Sequence, residues 1–106
     1  MFRTRHQQKK ICSHCPLAKV ANIVGDSVIL VIIRDLLTGP KRYTELFTSL
    51  SGVSSRTLTL KLKLLEDENL ISHSDRDGSP AYSLTRKGSA IKKSIDTLAE
   101  YGTKYL

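Results

Sequence analysis

The sequence holds only two cysteines among its 106 residues. Two thiols cannot build the disulfide framework of a small secreted scaffold, so the domain has to stand on a hydrophobic core. Long apolar runs are missing too. The longest, residues 28–33, falls far short of the roughly 20 residues that cross a bilayer, so no membrane partner is expected. The first ten residues, M-F-R-T-R-H-Q-Q-K-K, are charged and have no apolar stretch behind them. No secretory signal is read there, and the expected location is the cytoplasm. There is no acid/base pair at a readable spacing, no glycine-rich phosphate loop and no nucleophile motif. The expectation is a chain that is not an enzyme and carries no cofactor. Internal repeats and low-complexity tracts are also absent.

Acidic residues are in short supply. Ten Asp and Glu against seventeen Lys and Arg leave a formal charge of +7. Such a surplus on so small a surface favours polyanions, of which nucleic acid is the commonest. Apolar residues make up 40 % and charged residues 25 %, an ordinary composition for one folded domain rather than a disordered chain. The expected organisation is a flexible basic arm over residues 1–11 and a single domain over 12–106.

Within that domain the punctuation is helical at first. Pro16 marks a helix start, and Leu17, Val20, Ala21 and Val24 repeat at helical spacing up to Gly25. The run V-I-L-V-I-I-R-D-L-L over 28–37 is β-branched enough for a buried strand. A capping residue before it (Asp26 or Ser27), Gly39-Pro40 after it and its length favour a central buried helix. Residues 43–50 form a short amphipathic helix with Leu46, Phe47 and Leu50 inward. After the Ser51-Gly52 turn, Ser54 caps a longer helix. There Leu58, Leu62 and Leu65 fall within about 60° of one another on a helical wheel and make a core stripe. Arg56, Thr59, Leu60 and Lys63 lie opposite it, with Ser55 at the flank. Residues 70–73 and 81–84 read as two strands around a tight turn with Asp77-Gly78 at its centre. Thr85 caps a last helix running nearly to the end, with Ile91, Ile95, Leu98 and Tyr105 as its stripe and Ala99 beside it.

A short helix, a glycine-containing turn and a polar-faced helix make a helix-turn-helix, and the hairpin behind it makes a wing. The fold class is mostly α with a small β-hairpin: a winged helix-turn-helix. Four segments then carry a closer likeness: C-P-L-A-K-V-A-N-I-V-G-D, L-L-T-G-P-K-R-Y-T-E-L, G-V-S-S-R-T-L-T-L-K-L-K-L-L-E-D-E-N-L-I and Y-S-L-T-R-K-G. Together they resemble the HxlR family of transcriptional regulators over residues 15–102. The resemblance implies a homodimeric DNA-binding winged helix, dimerising through its first and last helices. It departs from the family where Val28 stands in place of a usual tryptophan, where Tyr101 stands in place of another, and in a shorter wing.

The function expected is a sequence-specific DNA-binding transcriptional regulator, a repressor by preference, acting on a pseudo-palindromic duplex. Arg56 suits a guanine edge or a phosphate; Ser55 and Thr59 suit either; Lys63 suits a phosphate. Leu60 reads as a thymine-methyl contact or as an ordinary surface leucine. Ser54 and Thr57 open the same helix, and Lys41 and Arg42 precede the helix that crosses the backbone. Arg76 is the cation of the wing turn, suited to a minor groove or to pairing with Asp75 and Asp77.

Cys12 and Cys15 form the second candidate site. Cys15 sits at the start of the first helix, where the helix dipole and Lys19 favour a thiolate, and Cys12 could resolve it as a disulfide. The resemblance implies such sensing in some members, with an oxidant or small-molecule effector. Two inert half-buried thiols are the plainer reading. Metal binding through Cys12, His14, Cys15 and His6 is the third, and no metal site is assigned because a closed zinc site needs four ligands. His73 is expected to face solvent, and Glu66, Asp67 and Glu68 read as a solvated helix end. The alternative function is a metal- or protein-binding winged-helix adaptor that does not read DNA.

Overall fold

The computed structural model describes residues 15–76 and 78–106, with the side chains of Arg76 and Ser79 outside that description. The expected arm, 1–11, and Cys12 lie outside the described residues as well.

Helix α1 (Pro16–Val24) starts as its proline dictates and ends at Gly25, whose amide bonds the Ala21 carbonyl at 2.9 Å. A Cβ at Gly25 would overlap that carbonyl oxygen, so only glycine closes the helix this tightly. Asp26 opens α2 (Ser27–Leu36) at once. Its Oδ1 accepts from the amides of Val28 (2.8 Å) and Ile29 (3.2 Å). Two otherwise orphaned donors are satisfied, and the β-branched run goes helical. The two helices meet at 86°. Neither is long and apolar enough to cross a membrane, and among the described residues no single helix is.

The chain continues through β1 (Lys41–Arg42), α3 (Tyr43–Ser49), α4 (Ser55–Asp67), β2 (Ile71–Arg76), β3 (Ser79–Leu84), α5 (Arg86–Ser89) and α6 (Lys92–Tyr105). Ser54 caps α4, its Oγ accepting from the Thr57 amide at 3.1 Å. The helix ends in a Schellman arrangement. Asn69 takes the left-handed conformation (φ 61°), its amide bonds the Glu66 carbonyl, and the Leu70 amide bonds the Leu65 carbonyl. β2 and β3 pair antiparallel from Ile71–Leu84 out to Arg76–Ser79, where a tight hairpin loop closes them. Gly78 has a φ of 76°, the left-handed backbone that such a loop needs.

The core lies between α2, α3, α4 and the sheet. Ile29, Ile32, Ile33 and Leu36 of α2 meet Leu46 and Leu50 around α3, Leu58, Leu62 and Leu65 of α4, and Ile71 and Tyr82 of the hairpin. Each such side chain fully buried contributes on the order of 1.5–3 kcal/mol.

The structure corrects the sequence reading in three places. The wing is a three-stranded sheet, in the order β1-β3-β2, and not a bare hairpin. Lys41 pairs with Tyr82 and Arg42 with Ala81, a two-residue strand too short to show alternation. The last helix is interrupted: Thr85 does cap α5, accepting from the Gly88 amide, but the chain turns at Ala90–Ile91 before α6 begins. Gly88 is pressed against the Leu70 carbonyl, which pins α5 to the end of β2. Phe47 is exposed rather than inward, stacked on Tyr43 at 6.3 Å. The apolar stripes of the terminal helices are split: Val24, Ile91 and Ile95 pack against the core, whereas Leu17 is 73 % exposed, Leu98 58 % and Tyr105 64 %.

Because a Cβ at position 88 would overlap the Leu70 carbonyl and crowd Leu84 Cδ2, Gly88→Ala should lower unfolding free energy by about 1–3 kcal/mol. Urea denaturation followed by circular dichroism reads this directly, and an unchanged midpoint would deny the close approach.

Candidate nucleic-acid interface

Helix α4 divides its residues between two environments. Leu58, Leu62 and Leu65 are buried. Ser54, Ser55, Arg56, Thr59, Leu60 and Lys63 are exposed, as the wheel predicts. Arg56 and Lys63 have no hydrogen-bond or ion-pair partner among the described residues, so both cations stand ready for an outside anion. Leu60 is 58 % exposed, an apolar tip on that same polar face. Thr57 is half-buried, and its amide and hydroxyl are both engaged with the Ser54 side chain.

Three polar contacts hold this helix in place. At its N-terminal end the Tyr43 hydroxyl donates to the Ser55 carbonyl (3.2 Å) and lies 3.3 Å from Thr59 Oγ1. In its middle Lys61 Nζ meets Asp26 Oδ2 at 2.6 Å. At its C-terminal end Glu66 Oε2 lies 2.7 Å from His73 Nδ1 on β2. Burial pushes the Asp26 carboxyl up, but Lys61 and the Ile29 and Val28 amides outweigh that and leave it below the ordinary aspartate value. Asp26 is therefore ionised at neutral pH.

His73 thus does more than face solvent. It bonds Glu66, its ring lies 5.5 Å from that of Tyr82, and its Nε2 is 3.9 Å from Asp75. Burial and then the nearby Glu66 carboxylate push the Tyr82 phenol up, so it stays neutral. At the acidic end of α4 the Asp67 and Glu68 side chains are exposed, and among the described residues only Glu66 is drawn into a pair. The Glu68 carbonyl accepts from Lys87 Nζ at 2.9 Å. The Lys61–Asp26 and Glu66–His73 pairs were beyond reach of sequence reasoning. The first joins distant parts of the chain and the second spans the turn from α4 into β2, both beyond the range of capping and helical periodicity, and only the position of Lys61 beside the leucine stripe hinted at an inward role.

Lys41 and Arg42 are half-buried on β1, at the sheet edge beside the start of α3. Arg42 is the N-cap residue of α3, and its amide donates to Glu45 Oε1 at 2.9 Å. Arg76 ends β2 at the hairpin loop, with its side chain outside the described residues. Cys15 is the extended N-cap residue of α1, half-buried and free, with no side-chain capping bond. Among the described residues no group of three metal-ligating side chains comes together. The fold therefore collects the α4 residues on one face and leaves Cys15 apart from them at the other end of the α1–α2 elbow.

The chain is similar to known proteins over most of its length. It is 31 % identical over 98 residues to the uncharacterized HTH-type transcriptional regulator sll1512 of Synechocystis, covering 87 % of this chain and 70 % of that protein. Among solved structures, a protein described as a MarR-family transcriptional regulator from Porphyromonas gingivalis W83 superposes with a TM-score of 0.83 at 30 % identity. The match covers 90 % of this chain and 96 % of that one. Quinone-bound YodB of Bacillus subtilis superposes with a TM-score of 0.77 at 25 % identity, over 86 % of this chain and 99 % of that one. The sequence pattern of the HxlR-like helix-turn-helix family matches residues 23–106, from the end of α1 through α6, and on that match the chain belongs to this family.

Proposed function

We propose that the chain is a DNA-binding transcriptional regulator whose α4 enters the major groove. One observation carries this: a helix that buries three leucines presents Arg56 and Lys63, both without partners among the described residues, with Ser55, Thr59 and Leu60 around them. Arg56, near the N-terminal end of α4, takes a guanine edge. Ser55 and Thr59 bond bases or phosphate, and Leu60 meets a thymine methyl. Ser54 and Thr57, bonded to each other, steady the first turn against the backbone. Lys63, further along, holds a phosphate. Lys41 and Arg42 flank the start of α3 and grip the strand that this helix crosses, while Arg76 reaches toward the minor groove. Such a protein acts in the cytoplasm, and repression by occlusion of polymerase is the preferred outcome.

The working unit is a homodimer on a pseudo-palindromic duplex. Support comes from the apolar surface left uncovered on the terminal helices: Leu17 and Val20 on α1, and Leu98, Tyr101 and Tyr105 on α6. Pairing two copies covers that surface and sets two α4 helices about one helical turn of DNA apart. Cys15 gives the dimer a response to thiol chemistry. Its place at the N-cap of α1 exposes it to the positive end of the helix dipole, and Cys12 stands three residues away as a resolving partner.

The deciding experiment is titration of reduced protein against a duplex enriched from a random pool and against its scrambled counterpart, across a salt series. Preference for the enriched duplex by about a thousandfold, falling steeply with salt, is expected. Arg56→Ala should cost about 1–3 kcal/mol of binding and relax discrimination at one base pair, whereas Lys63→Ala should lower the salt slope by about one without changing preference. Failure of the wild-type protein to prefer any duplex would move the reading to an adaptor.

Two further outcomes are expected. Sedimentation of wild-type protein at micromolar concentration should give a dimer, and Leu98→Glu a folded monomer; a monomeric wild type would refute the pairing. Mild oxidation with a quinone or diamide should release wild-type protein from DNA but leave Cys15→Ser bound, and equal release of both would deny Cys15 this role.

A further inference from the structure

Lys61 has no place in the interface just described. Successive helical residues turn by about 100°, which puts Lys61 roughly 160° around α4 from Lys63 and roughly 140° from Arg56. A groove that receives those two cations leaves Lys61 on the far side. The structure agrees: the Lys61 side chain is 27 % exposed and its ammonium lies 2.6 Å from Asp26 Oδ2, on a carboxylate that is itself only 14 % exposed.

Asp26 uses its two oxygens for two tasks. Oδ1 accepts from the amides of Val28 and Ile29 and caps the buried helix α2, while Oδ2 receives Lys61. The carboxylate also sits at the positive end of the α2 dipole, so it is held from three sides before Lys61 arrives. It is a fixed anchor rather than a flexible partner. It stands, moreover, at the elbow where α1 and α2 meet at 86°, next to Gly25, whose lack of a Cβ lets that elbow close. The pair therefore fastens the reading helix to the backbone corner that joins α1 to α2.

We infer that Asp26 and Lys61 are positioning residues: their ion pair sets the orientation of α4 against the α1–α2 elbow, and DNA affinity depends on it although neither residue touches DNA. This rests on the DNA-binding reading above. A leucine stripe alone permits a helix to slide and roll, because apolar contact is non-directional. A short ion pair to a capped carboxylate removes one of those freedoms. It is well placed to do so midway along α4, between the Tyr43 contact at one end and the His73 contact at the other.

The test uses three variants of the full chain and the duplex enriched by wild-type protein. Asp26→Asn keeps an oxygen able to cap α2 but loses the charge, since asparagine caps about as well as aspartate. Lys61→Met keeps the aliphatic stem and loses the ammonium, and Lys61→Arg restores the charge. Asp26→Asn and Lys61→Met are each expected to weaken binding about five- to fiftyfold, the double variant no more than either alone, and Lys61→Arg to recover most of the loss. The salt slope should stay at the wild-type value in all of them, because no phosphate contact is removed. A fall of the slope by about 0.9 in Lys61→Met, with Asp26→Asn binding normally, would make Lys61 a phosphate contact and overturn the inference.

Amide hydrogen exchange in the free proteins gives a readout independent of DNA. Residues of α4 should exchange several-fold faster in Lys61→Met, while the interior of α2 keeps its protection. Unchanged α4 protection together with unchanged binding would overturn the inference. If wild-type protein enriches no duplex, the DNA-binding reading falls by itself, and the exchange experiment still decides whether the pair holds α4: faster exchange upholds it and unchanged exchange ends it.

Discussion

The burial of one leucine stripe against one apolar helix is the constraint on which the rest of this structure hangs. Leu58, Leu62 and Leu65 have to leave water, and the surface that receives them is α2 with Ile29, Ile32, Ile33 and Leu36. Helix α2 can offer that surface because almost its entire circumference is apolar and other elements cover what α4 does not. Leu46 and Leu50 close one side, and Ile71 and Tyr82 of the sheet close another. Once α4 is seated in this way, helical geometry leaves no choice about its far face. Arg56, Thr59, Leu60 and Lys63 must point outward.

Seating a helix by apolar contact is strong but imprecise, and the polar contacts supply the missing direction. Tyr43, Asp26 and His73 come from three different elements and meet α4 at its beginning, middle and end. None of the three replaces the core. An exposed or half-exposed pair adds on the order of 1 kcal/mol or less to stability. What such contacts add is a preferred angle, which the proposed entry of α4 into a groove requires as much as the burial. The close approaches at Gly25 and Gly88 work in the same sense, since each brings backbone against backbone and leaves little room for the flanking elements to shift.

The recognition helix was legible in the sequence for local reasons. The Ser54 cap and the three-and-four spacing of the leucines act within a few residues of one another. The same holds for Asp26 before the β-branched run, where the cap outweighed a strand-like composition. The element missed outright, β1, is two residues long. It exists only because Tyr82 and Ala81 offer it a ladder, and nothing in Lys41-Arg42 announces that. Phe47 misled for another reason. Its spacing suited the inner face of α3, but Leu46 and Leu50 already fill the space there, and the ring stacks on Tyr43 instead. At the candidate site, the exposed residues of α4 could be named from a wheel, while the partners that orient the helix could not.

What the amino-acid order determined by itself was therefore what near neighbours govern: the starts of α1, α2 and α4, the hairpin behind them, the surplus of positive charge and which face of α4 is wet. What only the tertiary structure decided was what lies beyond that range or depends on packing. It chose Asp26 as the partner of Lys61, brought Glu66 to His73, added a strand to the wing, broke the last helix at Ala90–Ile91 and turned Val24 and Ile95 to the core while Leu17, Leu98 and Tyr105 stayed exposed. The physical reason is one of range. Capping bonds and helical periodicity act over three or four residues, whereas an ion pair, a ladder or a buried contact exists only once packing has brought distant segments within a few ångströms.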